Sequence, residues 1–567
     1  MRLLTILFAA SLFAWSCSPT QPKAQLVLQN GHFFTADSLQ PMATAVAILD
    51  GKLVYVGNQE GLKEWIDDQT EVIDLQGKFA LPGLIEGHGH FSALGRSLRN
   101  LQLLHTRSWK EIIEAAQQKA NQLPAGEWLE GRGWHQEKWV ESPGKTVNGY
   151  PYHDALSEAT PLHPTILYHA SGHALLANQK AMELAGISVE TPDPLGGRIV
   201  RDLNGRAIGV FEENAMELIE RPLKEWKDKR TEAEKQAEHD TIVQYAVRQC
   251  LRYGITSFQD AGSSLWELQQ YERLANAGQL GMRLWAMRAQ PLPSELQSKQ
   301  DYPKVDVGNG FFTSRAVKAY FDGALGSYGA WLLAPYADKP DSYGQNTTPL
   351  DTIAALAQRC RELGLQFCVH AIGDRGNREV LNVFEQKGCN ASLRWRVEHA
   401  QHIDPIDQPR FQQLGVIASM QAIHCTSDAP FVVKRLGEQR AKEGAYAWRS
   451  LLDLHTRMTN GTDTPVEEVD PFACLYASVT RRHHVGGPAF FPEQAMTREE
   501  ALYSYTLWNA YAAFEENQKG SLKVGKVADI AVLDRNLLTC PADEMPQTKA
   551  LMTILAGKIV YQDPTSR

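Results

Sequence analysis

Apolar positions come in short bursts at both ends of the chain. Near the N-terminus, Leu26-Val27-Leu28, Ala45-Val46-Ala47-Ile48-Leu49 and Lys52-Leu53-Val54-Tyr55-Val56-Gly57 read as strands, with Asp50-Gly51 as a hairpin turn. Near the C-terminus, residues 528–534 read as a strand. Thr553-Ile554-Leu555 and Lys558-Ile559-Val560-Tyr561 form a second hairpin about Ala556-Gly557. Matching β segments at opposite ends predict one small β-sandwich built from residues 25–81 and 515–567, bracketing everything between.

The bracketed stretch, 82–514, has another rhythm. Apolar runs at 251–259, 316–321, 365–369, 393–397 and 416–421 alternate with helical patterns at 231–250, 352–363 and 498–514. Such alternation is the mark of βαβ units and a parallel sheet. The chain has 567 residues, too many for one ordinary core, so the α/β class with a (β/α)₈ TIM barrel beside the small β-sandwich fits the length. From about 98 to 231 the rhythm is irregular and rich in Trp, Gly and Pro, which predicts an insertion over the barrel mouth.

Charge narrows the function. The net charge is −9 and no run of Lys and Arg appears, which excludes nucleic acid as the main partner. A small-molecule substrate is expected, and a homo-oligomer stays open. At the N-terminus, Arg2 precedes an apolar run from Leu3 to Ala14, too short to span a bilayer. Ala14-Trp15-Ser16-Cys17 resembles the lipobox of bacterial lipoproteins, although Trp15 is unusual there. That resemblance implies a signal peptide at 1–16, a lipid anchor on Cys17, a tether at 17–24 and a periplasmic or cell-envelope location. The plainer reading is a secretory signal ending near Ser16. The eight cysteines show no CxxC and no zinc-ribbon spacing, so those beyond Cys17 read as mostly buried thiols; a Cys360–Cys389 bridge is possible but unselected.

The chemistry starts at Leu81-Pro82-Gly83-Leu84-Ile85-Glu86-Gly87-His88-Gly89-His90. Strand side chains repeat their direction every second residue, so His88 and His90 point the same way at a strand end. Flanking glycines leave room for a metal, and imidazole is a common zinc ligand. His370, His399 and Asp463 each sit where a later strand should end, and barrel enzymes gather catalytic groups from such ends. Taken singly, each has a plain alternative: a satisfied core histidine, or for Asp463 a turn or helix cap before Pro465. Lys318 interrupts the buried pattern Ala316-Val317-Lys318-Ala319-Tyr320-Phe321. A buried ammonium is costly. Carboxylation by CO₂ would turn it into an anion able to bridge two metals; pairing with Asp322 or Asp260 is the other reading.

These motifs, with Ser171-Gly172-His173-Ala174-Leu175-Leu176-Ala177-Asn178, Tyr253-Gly254-Ile255-Thr256-Ser257, Asp322-Gly323-Ala324-Leu325-Gly326-Ser327, His370-Ala371-Ile372-Gly373-Asp374, Glu398-His399-Ala400-Gln401 and 520–530, resemble the amidohydrolase superfamily. The likeness is to amidohydrolase family 3, the group of N-substituted formamide deformylase-like proteins. It implies a metal-bearing barrel beside a β-sandwich, with His88, His90, Lys318, His370, His399 and Asp463 as metal ligands and Asp463 also catalytic. The implied cofactor is a divalent metal: two Zn ions bridged by carboxylated Lys318, with Mn, Fe or Co as alternatives. Two positions depart from the family's usual pattern. Thr462 stands where Ser is frequent, and Tyr328 where Arg is frequent.

The expected reaction is hydrolysis of a non-peptide C–N bond, in an amide or an N-formyl or N-acyl amine. A deaminase, a cyclic-amide hydrolase and a non-catalytic binding lipoprotein are the rival readings. His173 offers a donor to a substrate carbonyl or a partner for a carboxylate; a capping histidine is the plain alternative. Trp134 and His135 read as pocket-lining or structural, Asp260, Asp374, Gln421 and Arg435 as supporting groups, and His483-His484 as a solvated loop pair.

Overall fold

Eight short runs of buried residues form parallel strands that pair in sequence order. They are β1 (Leu84–Gly89), β2 (Ile255–Ser263), β3 (Arg283–Ala289), β4 (Phe312–Tyr320), β5 (Gln366–Ala371), β6 (Arg396–His399), β7 (Ile417–Met420) and β8 (Met458–Asn460). The computed structural model describes residues 22–564 apart from 104–105, 137–138, 142, 170–173, 195–196, 297–302 and 327. The expected signal peptide, Cys17 and His173 lie outside the described residues.

The register aligns the candidate chemistry at one rim. Tyr320 stands opposite His370, and His370 opposite Glu398. Below the rim the barrel is filled rather than hollow. Trp285, Met287, Ala316 and Cys368 pack as an apolar cluster, and the guanidinium of Arg396 lies 5.9 Å from the Trp285 ring centroid. Layers of inward side chains of this kind make a barrel interior a core.

Between β8 and β1 no ladder is formed among the described residues, and side chains join the two strands instead. Asn509 Nδ2 donates to Ile85 O at 2.7 Å and Asn460 O at 2.9 Å, while Asn509 Oδ1 accepts from Asn460 N at 3.2 Å. A Cβ on Gly87 would stand 2.3 Å from Asn460 O, so only glycine permits this approach. At the top, Asp463 N donates to His88 O and His90 N to Thr464 O, each at 2.7 Å.

Both chain ends contribute to a pair of sheets. One holds Lys52–Gly57, Ala45–Leu49, Leu26–Gln29 and Glu71–Asp74. The other interleaves C-terminal strands Lys558–Gln562, Ala550–Leu555 and Ile530–Leu533 with Phe79–Pro82, His32–Phe34 and Met42–Ala43. Leu28, Val46 and Ile48 share a buried core with Ile530, Val532 and Ile554.

Three local expectations are corrected. The run at 251–259 is helical at its start: the helix Glu232–Arg252, opened by a Thr231 capping box, continues to Arg252, and β2 begins after Gly254 at φ +77°. The pattern at 498–514 is two helices, Arg498–Ser504 and Leu507–Ala512. The chain leaves the helix at Tyr505, whose carbonyl accepts from Ile85 N of β1 at 2.8 Å. The irregular 98–231 stretch contains a six-stranded sheet in the order Gly197–Arg201, Ala207–Glu213, Ala174–Ala177, Thr165–His169, Leu129–Trp134 and Leu101–Gln102. Trp109, Trp134, Leu167 and Ile208 fill a core of its own. The described cysteines are free thiols, all buried except Cys540, which is half-buried.

Candidate metal centre

β1 reads Leu-Ile-Glu-Gly-His-Gly, and its alternation sends Glu86 and His88 to one side, with His90 following at the same spacing. β4 sends Ala316, Lys318 and Tyr320 inward in the same way. β5 brings His370, β6 ends on His399, and the segment after β8 brings Asp463.

These side chains converge. Asp463 Oδ1 lies 3.2 Å from His90 Nε2 and 3.6 Å from His88 Nε2. The His399 ring centroid is 4.7 Å from that of His88 and 4.5 Å from that of His370. Ligand atoms of His88, His399 and Asp463 all lie within 4.8 Å of one another. Two of these positions hold the left-handed backbone, His399 at φ +73° and Asp463 at φ +58°. Such conformations cost non-glycine residues about 1–3 kcal/mol each and collect at functional sites.

The residues fit a cation. His88 Nε2, His370 Nε2, His424 Nε2, Lys318 Nζ and Asp463 Oδ1 are buried and have no hydrogen-bond partner among the described residues. An unsatisfied buried polar group costs about 1–3 kcal/mol. Their gathering at one rim makes sense if they serve something other than the protein. Burial, reinforced by Lys318, lowers His88 to a pKa of about 4 and His370 to about 3; burial and neighbouring imidazoles carry His399 well below its ordinary value. These rings are therefore neutral near pH 7, the form that ligates metals. Burial alone would raise Asp463, but His90, His88 and His424 hold it below the usual carboxylate range.

Lys318 is fully buried, and burial lowers its pKa against the pull of Glu398 and Asp463. Neither expected partner is used. Asp322 accepts instead from the backbone N–H groups of Trp331, Ile372 and Gly373 at 2.8–2.9 Å. Asp260 accepts from Phe91 N at 3.2 Å and from the Ser263 hydroxyl. The amine stands 4.7 Å from the Tyr320 ring centroid.

Of the groups read as supporting, Gln421 stands against a candidate ligand. Gln421 Oε1 is 2.8 Å from His399 Nδ1, and its Nε2 donates to Ser419 O at 3.0 Å, which fixes the amide's orientation. Asp374 caps local backbone, accepting from Leu333 N and Arg375 N. Arg435 pairs with Asp338 and stacks 4.0 Å from the Tyr328 ring centroid. Trp134 is buried in the inserted core with Nε1 donating to Leu167 O, and the His135 ring packs 4.5 Å from that of His169. His483 and His484 are exposed and in contact with each other.

Three residues escaped the sequence reading. Glu398, fully buried, places Oε2 2.5 Å from His88 Nδ1, while Arg396 Nε reaches its other oxygen at 2.7 Å. Arg and Glu two apart on an apolar strand was the available signal. Glu86 accepts from Thr462 N at 2.7 Å, Thr462 Oγ1 at 3.1 Å and His88 N at 3.2 Å, tying the β8 side to β1; burial raises its pKa to about 8. Its signal was the shared parity with His88 and His90. His424 follows β7 directly and, like the expected ligands, occupies a strand end.

Relatives of known sequence and structure share this framework. A family model described as "Amidohydrolase family" matches residues 71–561. The chain belongs to the amidohydrolase family. It is 31% identical to Protein LONG AFTER FAR-RED 3 of Arabidopsis thaliana, covering 95% of this chain and 92% of that protein. It is 26% identical to an N-substituted formamide deformylase of Arthrobacter pascens, covering 95% of this chain and 98% of the relative. Among solved structures, an uncharacterized metal-dependent hydrolase from Pyrococcus furiosus superposes with a TM-score of 0.72 at 26% identity, covering 91% of this chain and all of the other. An amidohydrolase with metal-dependent relatives and a barrel of this kind is a hydrolase acting on small molecules.

Proposed function

We propose that this amidohydrolase cleaves a non-peptide C–N bond, in an amide or an N-formyl or N-acyl amine, with His88, His90, Lys318, His370, His399 and Asp463 holding one or two divalent ions. The observation carrying this reading is the convergence of buried His88 Nε2, His370 Nε2, Lys318 Nζ and Asp463 Oδ1, which lack hydrogen-bond partners among the described residues. The name of the formamide deformylase relative supports the same bond type.

A divalent ion at such a site polarises a carbonyl and brings water's pKa toward about 7. The chain's own residues supply the rest. Asp463, kept ionised among His90, His88 and His424, orients the attacking water and accepts its proton. It then delivers that proton to the leaving nitrogen, so that water and amide become an acid and an amine. A lowered pKa favours the free amine of Lys318, the form that reacts with CO₂ to give a carbamate and a proton. That anion would complete a site for two ions. His173 enters as a substrate-contacting group on its motif alone.

Two zinc ions are the proposed complement, with Mn, Fe and Co suited to the same donors. Deamination is the second reading and goes with a single ion; the position of Lys318 favours two. We further propose export to the periplasm or cell envelope with Cys17 as the lipid anchor.

The test is metal analysis of the purified chain beside a panel of N-formyl amines, N-acyl amines, cyclic amides and aminated heterocycles. Two ions per chain and turnover of acyclic amides support the proposal. Release of ammonia from heterocycles alone, or tight ligand binding without turnover in the loaded protein, overturns it.

A further inference from the structure

Three imidazoles at the rim, those of His88, His399 and His424, fall into two kinds, separated by what faces Nδ1. In His88 that nitrogen meets Glu398 Oε2 at 2.5 Å, and in His399 it meets Gln421 Oε1 at 2.8 Å. An oxygen accepts the Nδ1 proton and leaves a lone pair on Nε2, the form a cation needs. His424 is reversed. Its Nδ1 faces the amide nitrogen of Gln401 at 3.3 Å; with that N–H donating, the ring proton belongs on Nε2.

That Nε2–H is aimed at the site. The His424 ring lies nearly parallel to that of His399, with 15° between planes and 6.0 Å between centroids. Its Nε2 is buried, lacks a hydrogen-bond partner among the described residues, and is 3.7 Å from Asp463 Oδ2, too far to be satisfied there. The residue sits in the first turn of the helix Ala422–Leu436, immediately beyond β7, and is held on a rigid element. A nitrogen carrying its proton cannot ligate a cation, but it can donate to an oxygen.

We infer that His424 is a catalytic residue that donates a hydrogen bond from Nε2 to the substrate's carbonyl oxygen, and is not a metal ligand. The inference rests on the proposed hydrolysis. As water adds to the carbonyl carbon, the C=O π pair moves onto oxygen and negative charge develops there; the His424 N–H stabilises it. When the C–N bond breaks, that pair returns to re-form C=O, and the nitrogen takes the proton first removed from water. His424 keeps its own proton throughout. Donors placed where an oxyanion develops are worth about 10²–10³ in turnover.

The experiment compares the metal-loaded wild type with His424→Leu, His424→Gln and His424→Asn. The readouts are ions per chain, kcat and KM on an N-formyl amine, and the Kd of a phosphonate that imitates the tetrahedral species. The expected result is unchanged metal content in all three and kcat down about 10²–10³-fold in His424→Leu with KM within a few-fold. Phosphonate affinity falls in parallel, and an amide N–H in the Gln or Asn variant recovers part of both. Loss of metal in His424→Leu would make His424 a ligand and overturn the inference. So would undiminished turnover or undiminished phosphonate binding. A loaded wild type that hydrolyses nothing on the panel defeats the functional reading itself; an active wild type with an equally active His424→Leu defeats only the inference.

Discussion

Glu398 sits between His88 and Arg396: Oε2 is 2.5 Å from His88 Nδ1 and Oε1 is 2.7 Å from Arg396 Nε, with all three side chains fully buried. Arg396 also donates to Gln259 Oε1 at 2.6 Å, Ser419 Oγ at 2.6 Å and Gly87 O at 3.0 Å. One guanidinium thus spans β1, β2, β6 and β7. Burial would raise the Glu398 carboxyl, but Arg396 and His88 hold it well below its ordinary range, so the ring always finds an anion to receive its proton. Glu398→Gln should weaken metal affinity by about 10–100-fold, measured by competition with a chromophoric chelator. It should also lower the melting temperature, since breaking a buried ion pair costs about 3–5 kcal/mol. Wild-type affinity in the folded variant would remove Glu398 from this role.

In the proposed reaction Asp463, 3.2 Å from His90 Nε2, handles the proton. Asp463→Asn should fold and retain part of its metal but lose most turnover, since an amide cannot accept the proton. Kinetics on the best substrate of the panel, beside metal analysis, decide it. Normal turnover would exclude the carboxylate as base.

Lys318 should matter through its amine rather than its charge. Lys318→Met keeps the length and apolar stem, and is expected to bind one ion against the two proposed for the wild type. Refolding the wild type without bicarbonate should give the same deficit, reversed when ¹³C-bicarbonate is restored, with a new carbamate carbon signal. Two ions bound by Lys318→Met would show that no carbamate bridge is needed.

His239 provides a pH test outside the ligand set. It is buried beside Ser92, Tyr271 and Trp266, and burial lowers its pKa from 6.5 to about 4; Glu267 and Asp240 oppose that shift, while Arg96 and Arg273 add to it. The unfolded chain therefore takes up a proton between pH 6.5 and 4 that the folded chain refuses. The contribution is whole above pH 6.5 and fades as pH falls toward 4, by up to about 3 kcal/mol. His239→Gln should flatten the decline in melting temperature over that window. Parallel curves for the two proteins would place the titration elsewhere.

How much could be read from the residues alone depended on whether their pattern was local. The HxH run, Lys318 inside an apolar strand and the alternation of short strands with helices all carry their meaning within a few residues, and the barrel follows from them. The inserted sheet was hidden because its parallel part is brief, beginning on the two-residue strand Leu101–Gln102, and its other three pairings are antiparallel, so the βαβ rhythm is soon lost. The helix break at Tyr505 was hidden because its cause, Ile85 N, lies far away in sequence. Glu398 and His424 went unweighed for a similar reason. A buried acid beside a ligand reads as part of a motif until His88 is seen against it, and the tautomer of His424 depends on Gln401, a neighbour only in space.

The junction of β8 with β1 has a consequence for any survey of variants. The first and last segments of the candidate site are joined not by a ladder but by Asn509, by Glu86 and by two backbone bonds at the top, Asp463 N to His88 O and His90 N to Thr464 O. On the proposed ligand set, damage to the Asn509 or Glu86 contacts would let the two sides drift and weaken ion capture with every proposed ligand still in place. A substitution at Asn509 would thus masquerade as a lost ligand. Failure to hold zinc, by itself, is a poor guide to which residues touch it.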